Sequence, residues 1–167
     1  MQNEQGYYRL GIAWVALCLA FAAHVVDEAS THFLSVYNPT VLEAKRRFSW
    51  FPMPTFEFKG WLVGLTVAVL LFLVLSPFAF RGSRTIRPLA YFFATIMLLN
   101  GVGHTVATVL GRTFESIRFS RPAPGFYSSP LLLIASVYLL MQLRSTAHQK
   151  PEPPAAFASS TAASKPI

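Results

Sequence analysis

Strongly polar positions are few in this chain and come in groups, and the apolar positions between them fall into four long blocks. From Leu10 to Ala23 no side chain is charged, and then His24, Asp27 and Glu28 arrive within little more than one helical turn. A second block, Gly60 to Phe80, is uncharged over 21 residues. A third, Leu89 to Leu110, has Asn100 and His104 as its main polar interruptions, and a fourth runs from Phe126 to Leu143. Apolar blocks of about 20 residues match the thickness of a bilayer core. The pattern predicts an all-α integral membrane protein, a bundle of four transmembrane helices with spans at about 8–32, 60–80, 89–110 and 126–143.

The connections differ in character. Residues 33–59 are too many for a simple hairpin; Glu43, Lys45, Arg46 and Arg47 precede Phe48, Trp50, Phe51, Phe56 and Phe58, with Pro52 and Pro54 between them. Basic residues followed by aromatics predict an interfacial segment lying over the polar end of the first helix; an aqueous loop whose aromatics touch the bilayer is the alternative. Residues 111–124 form a loop with Arg112, Glu115, Arg118 and Arg121. Ser129-Pro130 suits the start of the last helix, but a start there leaves 14 residues to Leu143, so a start near Gly125 is equally open. The Pro-, Ala- and Ser-rich tail, 146–167, is expected to be disordered.

Composition sharpens this picture. The chain is 53% hydrophobic and 13% charged, with a mean hydropathy of +0.45 and a net charge of +7. In a soluble protein that charge would suggest nucleic acid. No basic stripe interleaved with exposed aromatics accompanies it, so no nucleic-acid partner is expected. The loop arginines are expected to meet anionic headgroups, which makes membrane lipids the first partner and a bacterial inner membrane the expected location. Basic residues divide evenly between the two sides; Arg81, Arg84 and Arg87, packed into one short turn, tilt the expectation toward cytoplasmic termini. The first block is not expected to be a cleavable signal peptide, because only a weak basic region, ending in Arg9, precedes it and charges rather than a small-residue cleavage site follow it. Cys18, the single cysteine, excludes an intrachain disulfide and is expected to be a small packing residue.

Ionisable side chains inside a membrane helix are costly and persist mainly where they face a protein interior, a cavity or a partner. His24 and Glu28 are four residues apart and His24 and Asp27 three, so all share one face. Asn100 and His104 are again four apart, flanked by Gly103 and Ala107, which allow close helix approach. His24 lies 14 residues after Leu10, and His104 lies 15 after Leu89. Spans one and three run the same way, so both imidazoles lie roughly 21–23 Å from the same membrane face. One site of His24, Asp27, Glu28, Asn100 and His104 is predicted.

His24, Glu28 and His104 make a donor set for a divalent metal, zinc or iron, with an open position. Asp27 binds from the flank or supports a ligand from behind, and Asn100 either orients His104 or a bound molecule or makes a helix–helix hydrogen bond. Without metal, the same groups make an acid–base pair or proton relay. The leading expectation is a metal-dependent or acid–base enzyme acting on a lipophilic small molecule. A small-lipophile or proton-coupled binder or transporter is the second; four helices are few for a carrier unless it forms a homo-oligomer. A structural subunit whose polar network only fixes packing is the third. His32 and His148 are given no role. Arg118 and Arg121 are expected at headgroups, and capping is the preferred role of Tyr127, Ser128 and Ser129.

The residues His24-x-x-Asp27-Glu28, Asn100-x-x-x-His104 and Pro124-Gly125 together resemble the HXXEE proteins, small polytopic bacterial membrane proteins. The resemblance covers roughly residues 8–143. It implies the membrane architecture and the site, and no particular reaction. Asp27 stands where the family pattern has Glu, and its shorter arm bears on whether it ligates directly.

Overall fold

Proline, glycine and a few long-range hydrogen bonds set where the apolar blocks become helices. A computed structural model describes residues 2–147; the expected tail from His148 onward lies outside the described residues. The elements are α1 (Gln2–Ser30), α2 (Leu34–Arg47), α3 (Phe58–Val74), α4 (Ser76–Phe80), α5 (Ile86–Leu110), the strands β1 (Arg112–Phe114) and β2 (Ile117–Arg118), and α6 (Ser129–Ala147). Three stretches are long and apolar enough to cross a membrane: Glu4–Ser30, Phe58–Phe80 and Ile86–Leu110.

The central helix is α1, with α3 and α4 against one side and α6 against another; α5 packs mainly on α6. Leu10, Ala13, Trp14, Leu17, Ala20 and Phe21 are buried at the three- and four-residue spacing that keeps side chains on one helical stripe. Trp14 meets Phe93 at 5.6 Å between ring centroids, and Phe72 meets Phe93 at 4.3 Å. These rings join α1, α3 and α5.

Several boundaries differ from the sequence expectation. The second block is two helices, because Pro77 has no N–H to offer Leu73 and its ring crowds that carbonyl. The Trp14 indole donates to the Phe72 carbonyl beside this break, at 2.9 Å. The fourth helix begins at Ser129 rather than near Gly125, yet it is 19 residues long because it continues to Ala147. Arg87, inside α5 rather than in the basic turn, donates to the Thr146 carbonyl at 3.0 Å and holds that far end.

The first connection contains a helix. His32 adopts a left-handed φ of 57°, and the Phe33 N–H closes on the Glu28 carbonyl at 3.0 Å, which ends α1 and turns the chain into α2. Glu43 accepts from Arg46 and Arg47 at 3.0 and 2.9 Å in the last turn of α2, and the two guanidiniums hold its carboxyl below the usual carboxylate range. The extended residues 48–57 fold back along α2. The Asn38 amide brackets the Phe56 backbone, donating at 2.8 Å and accepting at 3.0 Å, and the Tyr37 hydroxyl donates to Pro54 at 3.0 Å. Thr40 of α2 then meets Thr113 of β1 at 2.7 Å. So α2 is fastened over the site end of α1 and α5.

Candidate metal centre

The cluster begins with helix spacing. His24 and Glu28 are one turn apart on the inner face of α1, and His104 is presented by α5, whose Gly111 stops the helix in the left-handed conformation with a φ of 68°. His24 is fully buried, and Glu28 and His104 are only 4% and 7% exposed. Among the described residues these three form the one group whose ligand atoms converge, all within 4.8 Å of one another. His104 Nε2 is 3.1 Å from Glu28 Oε1, and His24 Nε2 is 3.4 Å from the same oxygen. Ligand atoms about 2.0–2.1 Å from a tetrahedral ion stand roughly 3.3 Å apart, so the two histidine–carboxylate separations fit an ion as well as they fit hydrogen bonds, while the two imidazoles, within 4.8 Å of each other, have room to close around it. The two rings are 4.8 Å apart, edge to face.

Asp27 does not point into this group. Its Oδ2 accepts from the Ser128 N–H at 2.8 Å and from the Ser128 hydroxyl at 2.7 Å. A carboxylate from α1 therefore holds the residue that leads into α6, and the short aspartate arm that the sequence allowed as a flanking ligand is committed to that support. Ser128 is also 2.7 Å from His24 Nδ1. A serine hydroxyl has one proton, and an ionised carboxylate only accepts. With that proton on Asp27, His24 must donate its Nδ1–H to Ser128, which leaves the lone pair on Nε2 facing Glu28 and His104. A carboxylate thus fixes an imidazole tautomer through a hydroxyl, the kind of support that metal-ligating histidines use.

Asn100 makes the helix–helix hydrogen bond that was the alternative to orienting His104. Its Nδ2 lies 3.1 Å from His24 Nε2, so it attends the histidine of the other helix rather than His104 on its own. Preferring a capping role for Ser128 missed its bond to His24. Ser129, by contrast, donates locally to the Gly125 carbonyl at 2.8 Å, and Tyr127 is exposed. His32 is exposed at the end of α1.

Gly125 is the residue whose importance the polar pattern did not reveal. It has a φ of +80°, and a Cβ there would stand 2.7 Å from His104 Cε1 and 3.0 Å from Glu28 Cγ. Its N–H donates to Thr31 Oγ1 at 3.1 Å, which ties the loop before α6 to the end of α1. Only a residue without a side chain lets this backbone lie on the imidazole.

Two cavities reach the cluster and share Phe33 as a wall; its ring lies 5.6 Å from that of His104. One, of about 260 Å³, is bordered by Phe33, Tyr37, Thr40, Asn100, Gly103 and His104 and is mostly apolar. Partial burial holds the Tyr37 hydroxyl above the usual phenol range, so it remains a neutral donor. The other, of about 250 Å³, is bordered by Glu28, His32, Phe33, Phe58 and Trp61.

No protein-family model, curated protein or solved structure matches the chain. Its chemistry has to be inferred from the cluster and its surroundings.

Proposed function

We propose that this chain is a four-span membrane protein of the HXXEE type that holds zinc or iron on His24, Glu28 and His104 and acts on a lipophilic small molecule. One observation carries the reading: two imidazole nitrogens, one with its tautomer fixed from behind, converge on a single buried carboxylate oxygen beside an apolar cavity. Three protein ligands leave a position for water or substrate, and an ion so held supplies Lewis-acid or bound-hydroxide chemistry. Asp27 and Ser128 hold His24, Gly125 lets His104 approach, and α2 covers the site. Asn100, which donates to the His24 lone pair when no ion takes it, borders the cavity and is then free to meet a bound molecule.

Membrane insertion is supported by the three long apolar helices and by the unpartnered outer faces of α3, α5 and α6, where Val74, Phe92 and Ile134 are more than 60% exposed. Contiguous apolar surface on that scale calls for lipid or protein cover. With α6 as the fourth span the termini share a side, and Arg81 and Arg84 favour the cytoplasm of a bacterial inner membrane. Exposed Phe48, Trp50 and Phe58 beside Lys45, Arg46 and Arg47 suit an interfacial position for α2 and the segment after it. Membrane lipids are then the standing partner, and a homo-oligomer would cover further apolar face.

A second reading, metal-free acid–base chemistry or proton handling, has the 3.1 Å contact between His104 and Glu28 in its favour, since that is also a hydrogen-bond length. Titrating chelator-stripped protein with zinc or iron(II), read by thermal stabilisation, separates the two. One ion per chain should raise the melting temperature of the wild type and leave Glu28→Gln unmoved. Equal responses from both would favour the metal-free reading.

A further inference from the structure

From the loops around the far end of α5 we infer that the ligand is a single-chain lipid with an anionic end, phosphate or carboxylate, bound headgroup-out on arginines with its chain beside His104. This rests on the cluster being the reacting centre only for what happens to the chain, and not for the binding itself.

Phe119 borders the apolar cavity at His104 and also a second hollow of about 460 Å³ at the C-terminal end of α5. Arg112, Arg118 and Arg121 line that hollow. Arg112 and Arg118 are direct partners across the β1–β2 ladder, where like charges repel. Arg121 lies over Gly111, so close that a Cβ on Gly111 would meet its Nε at 2.9 Å. Against these three cations stands one carboxylate: Glu115, 85% exposed, is 4.0 Å from Arg112. Among the described residues Arg118 and Arg121 have no carboxylate partner. Three guanidiniums with a single exposed carboxylate against them form a site that an anion completes, and their planar forks suit a phosphate or carboxylate.

The apolar cavity and the arginine-lined hollow share Phe119 as a wall. Its volume of about 260 Å³ falls below the roughly 300–1,000 Å³ of ordinary ligand pockets, which suits one chain and not the two of a bilayer phospholipid. His104 precedes Gly111 by seven residues, so the imidazole lies roughly 10 Å deeper than the arginines. A headgroup held by the arginines therefore presents the middle of its chain, and not its polar end, to the cluster. Gly103 borders the cavity, and a Cβ there meets nothing within 4 Å, so the space is available to a guest.

Binding of oleoyl lysophosphatidic acid, of the monoacylglycerol with the same chain, and of inorganic phosphate to the full chain in uncharged detergent tests this. The lysophospholipid should bind at least ten-fold more tightly than the neutral lipid and at least a hundred-fold more tightly than phosphate. Arg118→Gln with Arg121→Gln, both exposed positions, should abolish the preference for the charged lipid. Gly103→Leu should abolish binding of either lipid without lowering the melting temperature. Equal affinity for charged and neutral lipid, phosphate binding as tight as lipid, or an unaltered affinity in Gly103→Leu would each overturn the inference. Chelator-stripped protein should bind the lipid as well as the metal-loaded form, so a chain that binds lipid but never metal would refute the metal reading alone.

Discussion

Gly125 carries its backbone against Cε1 and Nδ1 of His104, leaving no room between the two for a β-carbon. A Cβ would sit 2.7 Å from the ring, in a residue whose φ of +80° already disfavours any side chain. Gly125→Ala should therefore cost about 1–2 kcal/mol from the left-handed backbone alone. It should also push His104 off Glu28 and weaken zinc binding by about 10- to 100-fold, the scale on which loosened ligand support acts. Thermal unfolding and zinc titration of the variant measure the two losses separately.

Asp27 serves two purposes through Ser128, and two substitutions separate them. Asp27→Ala removes the acceptor for the Ser128 N–H, just before α6, and should cost about 1 kcal/mol of stability, the usual price of a lost cap. It should also release His24 Nδ1 and weaken metal binding. Ser128→Ala keeps the bond from the residue 128 N–H to Asp27 and removes only the hydroxyl between carboxylate and imidazole. It should weaken metal binding about ten-fold with little change in melting temperature. Wild-type zinc affinity in Ser128→Ala would mean that the hydroxyl does not orient His24.

In the proposed centre, metal and protons compete for the same lone pairs. Each imidazole would ligate through an unprotonated nitrogen and Glu28 through its carboxylate, so zinc affinity should fall on acidification and binding should release protons. Calorimetry in two buffers of different ionisation enthalpy counts them. Binding without proton release at acidic pH would argue that the ion sits elsewhere.

Trp14 offers a control remote from the cluster. Trp14→Phe keeps an aromatic ring between Phe72 and Phe93 but leaves the Phe72 carbonyl without its donor, at a cost of about 1–3 kcal/mol. Melting temperature should drop while zinc stoichiometry stays at the wild-type value. Loss of metal together with stability would show that the cluster depends on overall packing more than on its own bonds.

The polar edges of α1 and α5 were legible because helix periodicity alone aligns His24 with Glu28 and Asn100 with His104, and the similar depth of the two imidazoles followed from counting residues. That the two edges meet, with Glu28 Oε1 shared, agrees with that count. The partners that give the cluster its chemistry were not legible in the same way. Ser128 lies 104 residues from His24, and no local pattern links a loop serine to a distant imidazole. For Asn100 the sequence left His104, a bound molecule and a helix–helix bond equally open, and helix packing turned it to His24. The α2 helix was obscured by Pro39 and by a basic end that resembled an interfacial loop; its helicity depends on Val41 and Ala44 finding buried positions. The extension of α6 to Ala147 needed Arg87 from another helix.

Elemental analysis of the detergent-purified chain after exposure to zinc and iron(II) tests the central claim most directly. The wild type should carry about one transition-metal ion per chain, and His24→Ala and His104→Ala should carry none while remaining folded. A folded wild-type protein with no stoichiometric metal, or histidine variants that retain it, would contradict the account.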